Sequence, residues 1–227
     1  MNKLRKLIWL LQSAQLGAVA TLVRRWLYSD ASGVGLQRQL ETPIEARRPR
    51  HPLTIRPIRP DEQAPFASTN GVRGNGAIVR VNARYLFATG IETCYVALID
   101  GEVPCYIQYL VLPDQNDSFA KAFGEPIPPL APGEALLEFA FTLEQYRALG
   151  VMPFAVSELA KAAKLRGAER LVTWVPEWNP HVRRYMERVG FEPFAIRRER
   201  YRFFRRKVWF ERTDRSTWAQ AGTPAQN

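Results

Sequence analysis

From Ala135 to Leu143 the chain alternates with a period of two. Ala135, Leu137, Phe139, Phe141 and Leu143 fall on one side of an extended chain, and Leu136, Glu138, Ala140 and Thr142 on the other. This predicts a strand whose only charge between those bounds is Glu138. The period then changes: from Phe154 to Arg166 Ala155, Leu159, Ala162 and Ala163 recur at helical spacing among good helix formers. Pro153 suits the first turn of that helix and Gly167 the position after its last. Arg170 to Val175 reads as a second, short strand. Asn179 then caps a helix beginning at Pro180, with Val182, Tyr185, Met186 and Val189 as its apolar stripe and Gly190 as its stop. The unit is strand, loop, helix, strand and helix, and its crossover is expected to be right-handed.

The flanking chain is less regular. Leu53 to Ile58 alternates as a strand, and Arg59-Pro60-Asp61-Glu62 opens a helix with acids in its first turn. Ile78 to Ala88 is expected to be a helix, and Cys94 to Ile99 and Val103 to Leu112 an antiparallel pair about Asp100-Gly101. The glycines of Asn70 to Gly76 read as a loop, since no apolar strand precedes them and no Lys-Ser/Thr follows. Pro113 to Pro132, rich in proline, reads as a long irregular insertion. Phe194 to Phe210 interleaves arginines with aromatics. A final hairpin with its aromatics toward the core is preferred there over a nucleic-acid surface on which Tyr201 and Phe203 would stack.

At the start, Leu7 to Val23 carries no charge and is closed by Arg24-Arg25. Leu4, Leu7, Ile8, Leu11, Ala18, Val19, Leu22 and Trp26 recur at three- and four-residue spacing. An amphipathic helix packed on the domain or a partner chain is the first reading, attachment to a membrane surface the second, and a span or signal peptide the third. The expected domains are therefore a helix over 1–28, a linker over 29–51 marked by Gly33, Gly35, Pro43 and Pro49, a catalytic domain over 52–210 and a tail over 211–227.

At 227 residues and 46% hydrophobic, the chain can bury a full core as one domain with extensions. Its net charge of +10 is uneven: residues 1–60 carry 11 basic and 3 acidic side chains, and residues 197–207 carry 7 basic and 1 acidic. That balance suits an acidic partner, whether lipid, nucleic acid or coenzyme phosphates, without choosing among them. Cys94 and Cys105 read as free thiols lying diagonal across the hairpin, which fits a reducing compartment. His51 and His181 do not pair, no metal-binding spacing occurs, and no serine stands in a Gly-x-Ser-x-Gly setting.

The segment Tyr146-Arg147-Ala148-Leu149-Gly150-Val151-Met152 delivers the chain into a helix start, where backbone N–H groups converge and the helix dipole favours an anion such as a pyrophosphate. This segment resembles the Arg/Gln-x-x-Gly-x-Gly/Ala loop of the GNAT superfamily of acyl-CoA-dependent N-acyltransferases. The spacing from Asn179 to Gly190-Phe191 resembles that family's later helix. The resemblance implies an α/β fold, a mixed and mostly antiparallel central sheet flanked by helices, here with an N-terminal helical extension. It implies acetyl-CoA or another acyl-CoA as cosubstrate, no metal, and a small-molecule or peptide amine as acceptor. It assigns coenzyme contacts to Phe141, Thr142, Arg147, Ala148, Leu149, Gly150, Val151, Met152 and Asn179.

Three departures stand out. Met152 replaces the family's Gly or Ala and could narrow the approach of the phosphates, Pro153 lacks an N–H, and Met186 stands where the family commonly has tyrosine. Deprotonating an alkylammonium at pH 7 costs about 4 to 5 kcal/mol, so a base is useful. Glu138 is the candidate, with Glu134 in reserve, and Tyr185 is the acid candidate next to Met186. The expected protein is a cytoplasmic N-acetyltransferase, with attachment to a membrane surface through residues 1–28 left open and nucleic acid disfavoured. The alternative is a binding protein of the same fold that has lost turnover and docks to an acidic surface.

Overall fold

The computed structural model describes residues 3–45, 49–123 and 128–213. Its centre is one eight-stranded sheet. The strands are β1 (Tyr28–Gln39), β2 (Leu53–Pro57), β3 (Cys94–Ile99), β4 (Val103–Val111), β5 (Glu134–Thr142), β6 (Arg170–Pro176), β7 (Glu192–Arg202) and β8 (Arg205–Arg212), in the order β2-β3-β4-β5-β6-β1-β7-β8. Among the described strands only β5 and β6 run parallel. The mixed, mostly antiparallel sheet expected from the sequence is therefore what forms.

Helices cover both faces. On one side α6 (Val151–Leu165) and α7 (Pro180–Arg188) pack through Val156, Leu159, Ala163 and Met186 against Ala135, Leu137 and Leu171. On the other, α3 (Ala64–Ala67), α4 (Asn75–Phe87) and α5 (Asn116–Phe123) cover Val96, Ile107, Leu136 and Val172. Two further helices, α1 (Lys3–Gln12) and α2 (Leu16–Leu27), pack on α4 through Leu10, Ala18, Leu22, Trp26, Ala77 and Val81. The stretch 1–28 is thus two helices rather than one, broken where Ser13 to Gln15 intervene and Ala14 takes φ 53°.

The expected linker over 29–51 is corrected most. Residues 28–39 form β1, which lies inside the sheet between β6 and β7. The glycines that suggested a linker are there to make room. A Cβ on Gly35 would lie 2.8 Å from the rings of Trp174 and Phe194, and one on Gly33 would lie 3.3 Å from the Val175 carbonyl. The sheet domain consequently begins at Tyr28 instead of residue 52, and its last strand extends to Arg212. Residues 214–227, most of the expected tail, lie outside the described residues, as do 46–48 of the linker.

Smaller corrections follow the same logic. Asn116 to Phe123 of the expected irregular insertion is helical, with Phe119 and Ala122 buried against the sheet; residues 124–127 lie outside the described residues. The β3–β4 turn has three residues, since Ile99 pairs with Val103, and a bulge follows it. Cys94 and Cys105 consequently belong to clusters on opposite faces of the sheet, so they are not diagonal neighbours. The final hairpin forms as β7 and β8, with Tyr201 buried.

Candidate active site

The site begins where the one parallel pairing stops. β5 and β6 are in register from Glu134↔Arg170 to Leu137↔Thr173. Thr173 Oγ1 closes the ladder by donating to the Leu137 carbonyl at 3.0 Å. Beyond it β6 pairs on its far side with β1, through Trp174↔Gly35 and Val175↔Val34, while β5 continues to pair with β4. The two strands therefore part, and a gap opens between their C-terminal halves.

A bulge shapes the mouth of this gap. Phe139 takes φ 52°, and the β4–β5 register shifts between Ile107 and Tyr109. The extra residue reverses the alternation expected for 135–143. Ala135 and Leu137 face α6, but Phe141 and Leu143 join the cluster under α3 and α4. Glu138 is the first residue past the last β5–β6 pair, opposite Tyr109. Burial pushes its carboxyl up to about 7, with the Phe139 amide and the Arg197 guanidinium pulling partly the other way. It nonetheless keeps partial access to solvent. A carboxylate of that pKa, reachable and near neutrality, has the properties of a general base.

On the other side of the gap stands the start of α6. Gly150 is its N-cap residue at φ 81°, and among the described residues no side chain caps the helix. The first-turn N–H groups of Val151 and Met152 have no partner within the helix by geometry, and Pro153 has none to offer. Ala148 also takes a positive φ, 63°, so the loop curls before the helix begins. Met152 is partly buried and packs against two core clusters, and it adds its N–H to the loop. This is a concave group of donors at the positive end of a fifteen-residue helix.

The remaining predicted residues divide between chemistry and support. Tyr185 is half-buried, its hydroxyl donates to the Pro153 carbonyl at 3.2 Å, and burial pushes its pKa up to about 12. It thus braces the first turn of α6 on the face away from Glu138. Met186 is core, 2% exposed. Asn179 caps α7, its side chain accepting from Val182 N–H at 3.4 Å. Arg147 is exposed and sits 3.5 Å from Glu144. Phe141 packs edge-on against Phe66, and Thr142 pairs with Tyr106, so both hold the bulged strand in place. Glu134, the reserve base, forms an ion pair with Arg170.

Sequence reasoning missed several neighbours. Arg80 of α4 is buried, donates to Glu144 at 2.7 Å and to the Pro65 carbonyl, and lies over the Phe141 ring at 5.5 Å. Its signal was an arginine inside the apolar stripe Ala77-Val81 of a helix. Pro49 and Arg50 lie against the loop: Arg50 N–H donates to the Leu149 carbonyl at 3.3 Å, and the Pro49 Cα would be 3.4 Å from a Cβ on Gly150. No local pattern could show that contact. Among the described residues Trp174 Nε1 is buried without a hydrogen-bond partner, and its ring lines a pocket of about 130 Å³ with Leu130, Val172 and Phe194. A hollow of about 330 Å³ beside Gly190 and Thr42 contains no part of this site. Among the described residues no group of three or more His, Cys, Asp or Glu could hold a metal ion, and no helix is long and apolar enough to cross a membrane.

Comparisons with known proteins agree with this geometry. Residues 72–191 match the model of the Acetyltransferase (GNAT) family. Among solved structures, the chain is similar to the GCN5-related glucosamine N-acetyltransferase region of a fungal multi-domain GH3 beta-N-acetylglucosaminidase. That match has a TM-score of 0.55 and 15% identity over 82% of this chain and 22% of that one. A functionally unknown conserved protein from Staphylococcus epidermidis gives 0.50 and 10%, over 79% and 64%. A GCN5-related N-acetyltransferase from Sphaerobacter thermophilus gives 0.47 and 14%, over 87% and 58%. The chain thus spans between 22% and 64% of the length of these three, and at such identities the first two speak to fold alone. No curated protein matches it in sequence. A family model covering more than half of the chain, set on a sheet that parts at its one parallel pair beside an uncapped helix start, places this protein in the GNAT acetyltransferase family.

Proposed function

We propose that the chain is an acyl-CoA-dependent N-acyltransferase that moves an acyl group, most simply acetyl, to a primary amine by direct attack in a ternary complex. The observation that carries this reading is Glu138, its carboxyl pushed toward neutrality at the mouth of the gap between β5 and β6.

The residues present fit the coenzyme. Val151 and Met152 offer first-turn N–H groups, Gly150 permits the positive φ, and among the described residues no side chain makes a capping hydrogen bond there. Arg147 to Met152 would hold the diphosphate, and the parted strands would admit the thioester arm; the bound coenzyme supplies an activated carbonyl. Glu138, directly or through a water, takes the proton from the acceptor ammonium, so that the neutral amine forms the C–N bond as the C–S bond breaks, and the second proton shed by the nitrogen ends on the departing thiolate. The acceptor enters from the face bearing α4 and α5, because Glu138 shares that face with Leu136. Coenzyme thiol, pKa about 8.5 as for cysteine, leaves tolerably without a protein acid. Tyr185, still protonated at neutral pH, is the donor candidate on the α6 side.

A thiol-release assay with acetyl-CoA and a mixed amine panel tests the reading. Release above background with a primary amine supports it. Acetyl-CoA that stabilises the protein against heat with no thiol release favours the alternative, a fold that binds and has lost turnover. Tyr185→Phe separates two roles: a rise in KM for acyl-CoA alone marks bracing of α6, and a fall in kcat marks proton donation.

A further inference from the structure

Helix α1 is turned the wrong way for a helix surrounded only by protein and water. Lys6 is buried at 5% exposure, whereas Leu4, Ile8 and Leu11 are 64%, 43% and 52% exposed. Their i, i+4, i+7 spacing sets these three on one outward stripe. Burial, with Arg25 and Arg206 nearby, holds the Lys6 ammonium down to about 7, so the inward position is an unfavourable one for a lysine.

Beside the first turn of α1 lies the β7–β8 turn. Lys3 Nζ donates to the Phe204 carbonyl at 2.6 Å. Phe203 and Phe204 are the two turn residues, with φ of 47° and 65°, positions that Asn-Gly usually takes. Their N–H groups donate to the Leu27 and Trp26 carbonyls, both at 2.8 Å, and so finish the end of α2. Any residue could supply those N–H groups. They do not explain two phenylalanines with rings 81% and 46% exposed. Leu27 and Tyr28, also exposed, adjoin the turn.

The charge around this apolar tip has one sign. Arg5, Arg24, Arg205 and Lys207 are exposed. The acids at this end are already engaged, Asp30 by Arg200 and Arg202, and Glu199 by Arg197 and Arg206. Nucleic acid would meet the charge but give the leucine stripe nothing in which to bury, and a second copy of this chain would bring like charge against like. An anionic bilayer surface offers both an apolar layer and phosphates at one depth.

We propose that this face docks on an anionic phospholipid surface, with Leu4, Ile8, Leu11 and the Phe203-Phe204 tip entering the interfacial layer and the flanking arginines meeting the headgroup phosphates. The proposal stands apart from the acyltransferase reading, since its test needs no coenzyme.

Full-length chain is sedimented with vesicles of phosphatidylcholine alone, or of phosphatidylcholine and phosphatidylglycerol in equal parts. Binding at least about tenfold tighter to the anionic vesicles, weakened by salt, is expected. Phe203→Asn with Phe204→Gly places the preferred residues in the turn. It should raise Tm while lowering anionic-vesicle affinity about tenfold or more. Leu4→Gln with Ile8→Gln should lower affinity with the helical content unchanged. The proposal is overturned by equal binding to both vesicle types, by a Phe203→Asn, Phe204→Gly variant that keeps wild-type affinity, or by a stable dimer or duplex-DNA complex with no vesicle binding.

Discussion

Helices α1 and α6 are both rich in apolar residues, yet they treat their surroundings in opposite ways. α6 buries Ala155, Val156, Leu159, Ala160 and Ala163 and leaves Lys161 and Lys164 in water. α1 buries Lys6 and leaves Leu4, Ile8 and Leu11 outside. The orientation of α6 is set by the sheet it covers, which offers a broad apolar surface on one side only. α1 meets the domain through a contact centred on Leu10, and among the described residues Leu4, Ile8 and Leu11 stay largely uncovered. A helix over the sheet can be oriented from its own periodicity; a helix at the rim cannot.

The largest effect expected from breaking this comparison lies at the site that α6 serves. Glu138→Gln should lower turnover at pH 7 by about 10²- to 10⁴-fold, the range for loss of a general base. Wild-type rate should rise through about pH 7, the value to which burial pushes the carboxyl, and the variant should lose that limb. Equal loss at neutral and high pH removes the assignment. Stability should move the other way. Because the folded pKa lies above the ordinary carboxylate value, the group favours the fold fully at low pH and this contribution is lost as pH rises through about 7. Glu138→Gln should therefore have a higher Tm than wild type at pH 8 and a similar one at pH 4.

The next effect belongs to α1. Lys6→Met should stabilise the fold at pH 7 by on the order of 2 kcal/mol, since a buried cation is replaced by an apolar side chain of similar length. The folded lysine is held near 7 against an ordinary 10.5. The unfolded chain therefore binds the proton more tightly across that window, and the wild type gains stability as pH rises from 7 toward 10.5. The advantage of Lys6→Met should shrink over the same range in urea melts; a constant advantage means that Lys6 is not the titrating group.

Gly150→Ala tests the cradle. Positive φ together with Pro49 at 3.4 Å should cost about 1–2 kcal/mol of stability and raise KM for acyl-CoA more than it lowers kcat. The smallest change is expected for Asn179→Ala. Losing the α7 cap should cost about 1 kcal/mol by denaturant melt and leave KM for acyl-CoA unchanged if capping is the residue's whole role.

Local pattern was enough for α6, β6 and α7, and for the presence of β5, where period, cap and stop agree within a short span. It was not enough for β1. Gly33 and Gly35 are small because rings and a carbonyl from β6 and β7 press on them, and those neighbours are more than a hundred residues away. It also misplaced half of one strand's side chains, because a bulge at Phe139 inverts the two-residue alternation without leaving a glycine to mark it.

The amino-acid order by itself determined the crossover unit, the uncapped glycine turn before α6 and the isolation of Glu138, all matters of spacing within a few turns. Tertiary structure alone decided that β5 and β6 part after four pairs, that Arg80 and Pro49 close on the loop, and which side of α1 meets water. Those outcomes depend on contacts between segments far apart in the chain, whose free energy appears only when the sheet is assembled.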